Sequence, residues 1–401
     1  MRSSVLERDP STFRLRLTGF VHRRVAKGSG PVTCVEPVLV ATRRIPADVM
    51  ELLGRHGGLV HVAAARTAGV DASRLRRLAI AGQLTRNGHG VYADSSMLVS
   101  LGTWQLHRLE ARGFVLSCAA DACLTGWSAA VTWDFPTVGV PPKIPVVVRP
   151  KAPSRGPTTT TFGRVLVAAV PDSHRVQSSS IRIVSRAWTV ADLARTAPVP
   201  HALVVADAAV RQGVDLDTVL QHMARWKGIH RARWVTRHAN PAAESALETL
   251  GRFTCMEFDL PMPVCNAWVG SSSPVYRVDG LWPFHWSAYE ADGALKYDNR
   301  PDASSIVAAQ SEREFYLRRL GLDVARYGWD LGFRRRATLA ERFSALLRDN
   351  PARTEPIRWW KHVPGVGPVK PEPADWPSPH PGSVVLPAGW DVDTNSHARA
   401  R

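Results

Sequence analysis

The sequence predicts an α/β multidomain protein with three folded parts. Short amphipathic helix patterns and then a glycine-bearing hairpin pattern begin near residue 45, and mixed helix and strand patterns of an α+β kind follow them. From residue 239 onwards a helix, several strands and further helices alternate, as in a mixed sheet covered by helices. With 401 residues, 45% of them hydrophobic, the chain is long enough for two or three packed cores.

The domain boundaries follow changes in composition. Residues 1–41 are basic and irregular, so a flexible arm is expected there. The helix and hairpin pattern covers 42–97, the α+β pattern covers 98–238, and the α/β pattern covers 239–348. The remaining segment, 349–401, is rich in proline, glycine and serine, which predicts a disordered tail.

The charge balance indicates an anionic partner. The formal net charge is +16 and the sequence pI is about 10.4. Nucleic acid is the commonest partner of such a basic chain, and double-stranded DNA is the expectation here. Arginine supplies nearly all of the positive charge, and its planar guanidinium suits contacts with phosphate and guanine, although a GC-rich genome would also enrich it.

The cysteine pattern and the hydropathy exclude several classes of protein. Five cysteines are scattered without a C-x-x-C pair, so neither a zinc site nor a disulfide framework is indicated, and a reducing cytoplasm is the expected compartment. No apolar run approaches the length of a membrane span, so no membrane partner is expected. Walker A, H-E-x-x-H and Rossmann motifs are absent from the sequence.

A winged helix is predicted in the first folded part. One amphipathic helix begins near Pro46, a short second helix covers 62–67, and Asp71 is placed to cap a third helix, ASRLRRLAIAG. The tight turn Asn87-Gly88 then joins two short strands. A helix–turn–helix followed by a hairpin is the element order of a winged helix.

Basic side chains on the third helix predict contact with DNA. In DNA-reading helix–turn–helix domains the second helix of the motif enters the major groove, and that role falls here on Arg74, Arg76 and Arg77. Arg86 and His89 are available to the wing. The alternative is that these side chains only solvate a surface helix, but three basic residues in four positions favour DNA binding.

The order GLVHVAAARTAGVDASRLRRLAIAGQLTRNGHGVY resembles the N-terminal domain of AbiEi-type antitoxins. Those proteins belong to type IV toxin–antitoxin systems and repress their own promoters. The resemblance therefore implies DNA binding, transcription regulation and, as a further partner, a cognate toxin.

In the middle part, the motif S-x-A-A…G-W precedes paired strand patterns and then T-V-A-D-L-A-R. This order resembles the middle domain of actinobacterial proteins that combine AbiEi-like heads with nuclease-like tails. Two of its acids, Asp192 and Asp207, lie in amphipathic helix patterns. Acids in such positions are usually solvated or act as caps, so neither is assigned a catalytic role.

Three acids in an apolar and aromatic stretch form the candidate site of the C-terminal part. Asp279 lies in one strand pattern, and Glu290 and Asp292, two positions apart on the next, share one face of a strand. If the two strands pair, the three carboxylates converge. Oxygen ligands of this kind suit magnesium or manganese. The alternative is a hairpin whose acids are solvated or paired with arginines.

The C-terminal part resembles the very-short-patch-repair branch of the PD-(D/E)xK nucleases. The motif E-A-D-G at 290–293 matches the second strand of that branch, and Glu244 matches an acid on the preceding helix. The resemblance spans roughly 241–330 and implies a restriction-endonuclease-like fold. The lysine of the E-x-K motif is replaced by Asp292, and Lys296 is the nearest substitute.

This second resemblance implies a metal-dependent DNA endonuclease. Asp279 and Glu290 would bind the metal, Asp292 and Glu244 would position metal or water, and Lys296 would stabilise charge in the transition state. Two alternatives stay open: a catalytically inactive nuclease fold that clamps DNA, and an antitoxin that neutralises a nucleotidyltransferase toxin.

Overall fold

The structure is a computed structural model that describes residues 44–150, 156–293, 303–382 and 384–394. The predicted N-terminal arm and Lys296 lie outside these residues. All described residues belong to one compact unit, which contains helices and three sheets, and the prediction of a mixed α/β fold is confirmed.

The head consists of three helices and a small antiparallel sheet in the order β1-β3-β2. Its elements are α1 (Ala47–Arg55), β1 (Leu59–His61), α2 (Val62–Thr67), α3 (Ala72–Ile80), β2 (Leu84–Gly88) and β3 (Val91–Asp94). The Asp71 carboxylate accepts a hydrogen bond from the Ser73 amide at 2.9 Å and so caps α3, as the sequence predicts. Leu75 and Leu78 of α3 are buried against Val49 of α1.

The middle part is a six-stranded sheet packed against helices. Its strand order is β6-β7-β5-β4-β9-β8, and its large core includes Trp188 and Leu203. The helices are α4 (Ser95–Ser100), α5 (Thr103–Ser117), α6 (Gly126–Thr132), α7 (Arg186–Thr196), α8 (Val199–Arg211), α9 (Asp217–His222) and α10 (Ile229–His238). The strands are β4 (Cys123–Leu124), β5 (Val146–Arg149), β6 (Thr158–Thr159), β7 (Arg164–Val167), β8 (Arg175–Ser178) and β9 (Ile181–Val184).

The C-terminal part is a second six-stranded sheet, ordered β13-β12-β11-β10-β14-β15. Only the pairing of β12 with β13 is parallel in this sheet as described. The elements are α11 (Ala246–Glu257), β10 (Val264–Val269), β11 (Tyr276–Trp282), β12 (Ser287–Asp292), α12 (Ala303–Arg319), β13 (Asp323–Gly328), α13 (Arg336–Asp349), β14 (Trp359–Val363) and β15 (Gly367–Val369). Residues of α11 and α13 belong to one apolar cluster, and residues of α12 belong to another.

The described part of the segment after residue 349 is ordered, so the prediction of a disordered tail is wrong there. Trp359 and Trp360 of β14 pair with Val269 and Trp268 of β10, and the Trp359 side chain is only 2% exposed. Further along, the carbonyl of Trp390 accepts a hydrogen bond from the Val199 amide of α8 at 2.7 Å. The high proline content predicts disorder, but the tryptophans of this segment bury enough apolar surface to hold it against the rest of the protein.

A buried ion pair joins the middle part to the C-terminal part. Asp207 of α8 is fully buried and accepts hydrogen bonds from the Arg252 guanidinium of α11 at 2.9 and 3.0 Å. The Asp207 carboxylate also accepts hydrogen bonds from the Asn240 backbone amide at 2.7 Å and from the Thr249 hydroxyl at 2.8 Å. The other acid set aside above, Asp192, pairs with Arg195 at 2.7 Å, so both have structural partners.

Within the part of the chain that the structure describes, no helix is long and apolar enough to span a membrane.

Candidate functional site

The third helix of the head presents two accessible arginines. Arg76 and Arg77 are exposed on α3, and the Arg77 guanidinium donates a hydrogen bond to the Ser73 hydroxyl at 3.4 Å. Arg74 differs from them because its guanidinium binds both carboxylate oxygens of Asp48 on α1, at 2.5 and 3.1 Å. The surface of α3 therefore offers Arg76 and Arg77 to a ligand more freely than Arg74.

The hairpin between β2 and β3 is held by contacts within the chain. Arg86 and His89 are exposed, but the Arg86 guanidinium reaches the Gly88 carbonyl at 3.4 Å and His89 Nδ1 at 3.3 Å. The same guanidinium lies 5.6 Å from the ring centroid of Phe162 in the middle part. Asn87 is buried at the hairpin, so a wing contact with DNA would have to come from the outer side chains alone.

Asp279 lies where two strands of the C-terminal sheet separate. The pairing of β11 with β12 runs from Trp282 to Gly280, and beyond it the Asp279 carboxylate accepts a hydrogen bond from the Ala291 amide at 2.7 Å. Gly280 permits this packing because an added Cβ would lie 2.1 Å from the Tyr289 ring. The separation brings the Asp279 carboxylate to β12, the strand that carries the other two acids.

Glu290 and Asp292 follow on β12 and bind different arginines. The Glu290 side chain is 7% exposed and accepts a hydrogen bond from Arg313 of α12 at 2.5 Å. Burial, and then the negative charge of Asp279, raise the pKa of Glu290 to about 8. Asp292 accepts two hydrogen bonds from Arg326 of β13, at 2.7 and 2.8 Å.

The helix acid beside Asp279 is Glu248 and not Glu244, which the sequence pattern predicts. Glu244 precedes α11 and binds Arg277 at 2.7 Å through both oxygens. Glu248 is buried in the first turn of α11, where burial is the main cause of its raised pKa and the charge of Asp279 adds to it. Its carboxylate accepts hydrogen bonds from the Glu244 amide and, at 2.6 Å, from the Asn266 side chain.

A sequence signal for Glu248 existed in the spacing Ser245-x-x-Glu248. This is the pattern of a capping box, and the Ser245 hydroxyl does accept a hydrogen bond from the Glu248 amide at 3.1 Å. The pattern fixes Glu248 in the first helical turn, so its side chain can face the sheet. We call the five carboxylates the acid cluster: Glu244, Glu248, Asp279, Glu290 and Asp292.

The acid cluster does not fit a three-carboxylate metal site in the described arrangement. Among the described residues, no group of three histidine, cysteine, aspartate or glutamate side chains is placed to hold a metal ion. Carboxylate oxygens are the right ligand type for magnesium or manganese. However, Asp292 uses both oxygens on Arg326, and Glu290 binds Arg313.

Comparison with known proteins supports the reading of the head. A family model described as a transcriptional regulator, AbiEi antitoxin, matches residues 48–93. That range contains all of β1, α2, α3 and β2, and most of α1 and β3. The AbiEi resemblance of the head is therefore confirmed over these residues, and the match supports a role as a toxin–antitoxin regulator. The nuclease resemblance stays a prediction.

Two mycobacterial proteins are similar to a longer part of the chain. They are Uncharacterized protein MT2308 of Mycobacterium tuberculosis strain CDC 1551 / Oshkosh and Uncharacterized protein Rv2248 of strain ATCC 25618 / H37Rv. Each is 28% identical over 208 residues, which are 50% of this chain and 71% of the relative. The crystal structure of RV2827C protein from Mycobacterium tuberculosis is similar over 49% of this chain and 78% of that chain, with 15% identity and a TM-score of 0.31.

Proposed function

We propose that this protein is a DNA-binding transcription regulator that reads duplex DNA with α3. The observation that carries the proposal is the exposure of Arg76 and Arg77 on the second helix of the helix–turn–helix, inside the region that matches the AbiEi regulator family. The second helix of such a motif enters the major groove, where arginine binds guanine through two hydrogen bonds.

The charge of the whole chain supports the same proposal. A net charge of +16 attracts the phosphate backbone and supplies affinity that does not depend on sequence. The arginines of α3 would then supply discrimination between sequences. AbiEi antitoxins repress their own promoters, so the DNA immediately upstream of the gene is the first target to test.

Fluorescence anisotropy with this upstream duplex and a scrambled duplex tests the proposal. We expect the full chain to prefer the upstream duplex and the double variant Arg76→Ala, Arg77→Ala to lose that preference. Arg55→Ala is the matched control, because Arg55 is an exposed head arginine on α1 paired with Glu51. Equal preference in the double variant and the wild-type chain would contradict reading by α3.

We also propose a toxin partner, a nucleotidyltransferase, on the basis of the antitoxin family matched by the head. Co-expression with the product of a neighbouring gene tests this, with rescue of growth as the expected outcome. Failure of the full chain to relieve toxicity would contradict the toxin partner and would leave the DNA-binding proposal intact.

A second candidate function is DNA cleavage that depends on magnesium or manganese. It is favoured by the strand separation that places the Asp279 carboxylate on the Ala291 amide, next to the buried Glu290. The arginine partners of Glu290 and Asp292 oppose it. A plasmid-cleavage assay with either metal decides, with Asp279→Asn, Glu290→Gln as the inactive control. No nicking by the wild-type chain would leave the inactive DNA clamp as the alternative role of this domain.

A further inference from the structure

Arginines neutralise three of the five carboxylates in the acid cluster. Arg277 holds Glu244 at 2.7 Å, Arg313 holds Glu290 at 2.5 Å, and Arg326 holds Asp292 at 2.7 Å. Among the described residues, the two remaining acids accept hydrogen bonds from neutral donors. The Ala291 amide donates to Asp279, and an amide and the Asn266 side chain donate to Glu248.

The contact between Arg326 and Asp292 is a fork of two hydrogen bonds. Arg326 Nε donates to Asp292 Oδ2 at 2.8 Å, and Nη2 donates to Oδ1 at 2.7 Å. Forked pairs of guanidinium and carboxylate are among the stronger hydrogen-bonded contacts, since both oxygens are engaged at once. Both side chains are 35% exposed, so solvent screens the pair only in part.

The sheet itself places Arg326 in the cluster. Strands β12 and β13 pair in parallel register, with Glu290 opposite Arg326 and Asp292 opposite Gly328. Six residue pairs fix this register, from Ser287 to Asp292 on β12. The Arg326 side chain therefore extends from a paired strand and not from a loop. Arg313 is anchored on two strands, because it also donates to the Arg277 carbonyl.

A divalent cation would compete with these arginines for the same oxygens. Magnesium and manganese need several oxygen ligands close together, whereas a guanidinium in contact with those oxygens repels a second cation. The arrangement thus disagrees with the metal site that the sequence pattern implies. Arg326 binds Asp292, whereas the nuclease resemblance implies that a metal ion binds this acid.

We infer that Arg326 is a built-in counter-cation that keeps divalent metal out of the acid cluster in the free protein. Removal of its charge would take away the two hydrogen bonds that Asp292 accepts from Arg326, beside two other acids, Asp279 and Glu290. Neighbouring carboxylates repel one another when ionised, and binding of a hard cation relieves that repulsion. Arg326→Met retains much of the length of the side chain and removes the fork, so this variant should gain a metal site that the wild-type chain lacks.

Isothermal titration calorimetry of the full chain with manganese chloride, without DNA, tests the inference. We expect no resolvable binding up to millimolar manganese for the wild-type chain and at least tenfold tighter binding for Arg326→Met. Thermal melting supplies a second readout, because an ion that binds only the folded state raises the Tm. Manganese should raise the Tm of Arg326→Met and leave that of the wild-type chain unchanged.

Arg149→Met is a closely matched control. Arg149 forks onto Asp121 in the middle part at 2.8 and 2.9 Å, and these side chains are 32% and 34% exposed. This variant also loses one arginine–aspartate fork, but outside the acid cluster, so manganese binding should not appear.

Resolvable manganese binding by the wild-type chain at or below millimolar concentration would overturn the inference. That titration needs no substitution, so it remains decisive even when a variant folds poorly. An equal gain in Arg149→Met would overturn it as well, because a general increase in negative charge would then be the cause. These titrations contain no DNA, so a failure of the head to bind DNA, which anisotropy measures separately, would not alter the manganese results.

Discussion

Three arginines on α3 are close in sequence but differ in how much of their charge is available. Arg76 and Arg77 are exposed, whereas Arg74 is bound to Asp48 of the neighbouring helix. We expect Arg76→Ala or Arg77→Ala to reduce discrimination between specific and scrambled DNA by about 1–3 kcal/mol, the value of one lost base contact. Arg74→Ala should have a smaller effect, because its guanidinium is already paired.

Anisotropy titrations on both duplexes measure this difference. Equal weakening on both duplexes by all three variants would show that the arginines contact only phosphates, which weakens binding without changing specificity.

A buried histidine in the middle part makes stability depend on pH. His107 is 2% exposed, its Nε2 lies 3.1 Å from the Ser128 hydroxyl, and burial lowers its pKa to about 4. The ordinary histidine pKa is near 6.5, so between pH 6.5 and 4 the unfolded chain binds a proton that the folded chain does not. The stabilisation is complete above pH 6.5 and is lost as the pH falls towards 4, by about 3 kcal/mol at most.

Urea unfolding at pH 7, 6, 5 and 4 checks this prediction. The wild-type chain should lose stability steadily over this range, and His107→Gln, although less stable at pH 7, should lose less of its stability. Parallel curves for the two proteins would show that other groups cause the pH dependence.

Residue types and spacing revealed the strand acids but not the helix acid. Asp279, Glu290 and Asp292 stand out because carboxylates are unusual between apolar neighbours. Glu244 and Glu248 are only four residues apart, and choosing between them requires the position where α11 begins, which is at Ala246. The arginine partner of Asp292 is harder still to identify, since Arg326 lies on β13, an element distant in the sequence.

At the scale of elements, the segment after β15 is the largest departure from the sequence prediction. The Trp390 ring lies 5.5 Å from that of Phe253, and the carbonyl of Val385 accepts a hydrogen bond from the Trp234 indole at 2.7 Å. The content of proline and glycine predicts disorder because composition takes no account of the tertiary contacts that the tryptophans make. The helices and hairpin of the head were easier to predict, since their caps, turns and periodicity are local.

We expect Trp390→Ala to lower the free energy of unfolding by about 2 kcal/mol, less than the loss for a fully buried tryptophan because Trp390 is only half-buried. Val385→Ala is the control, because that side chain is 84% exposed and should change stability by less than about 0.5 kcal/mol. Chemical denaturation of the two variants measures the difference. Equal stability of both would mean that the Trp390 contact contributes little.

At the scale of the whole molecule, the charge of +16 predicts DNA affinity that depends strongly on salt. Each phosphate contact releases counterions, so a protein with about four such contacts should lose roughly 100-fold in affinity between about 50 and 200 mM salt. Anisotropy titrations of the wild-type chain on one duplex at several salt concentrations give the slope. Affinity independent of salt would contradict binding through phosphates.

The buried pair of Asp207 and Arg252 limits how the chain can be divided for experiments. The two residues lie on opposite sides of the predicted boundary at residue 238, in α8 and α11. A fragment that ends at this boundary would contain Asp207 without Arg252, and the complementary fragment would contain Arg252 without Asp207. Each fragment would therefore keep a charged group whose buried partner is missing. Separate expression of the two halves should therefore give insoluble material, and studies of the acid cluster should retain the middle part of the chain.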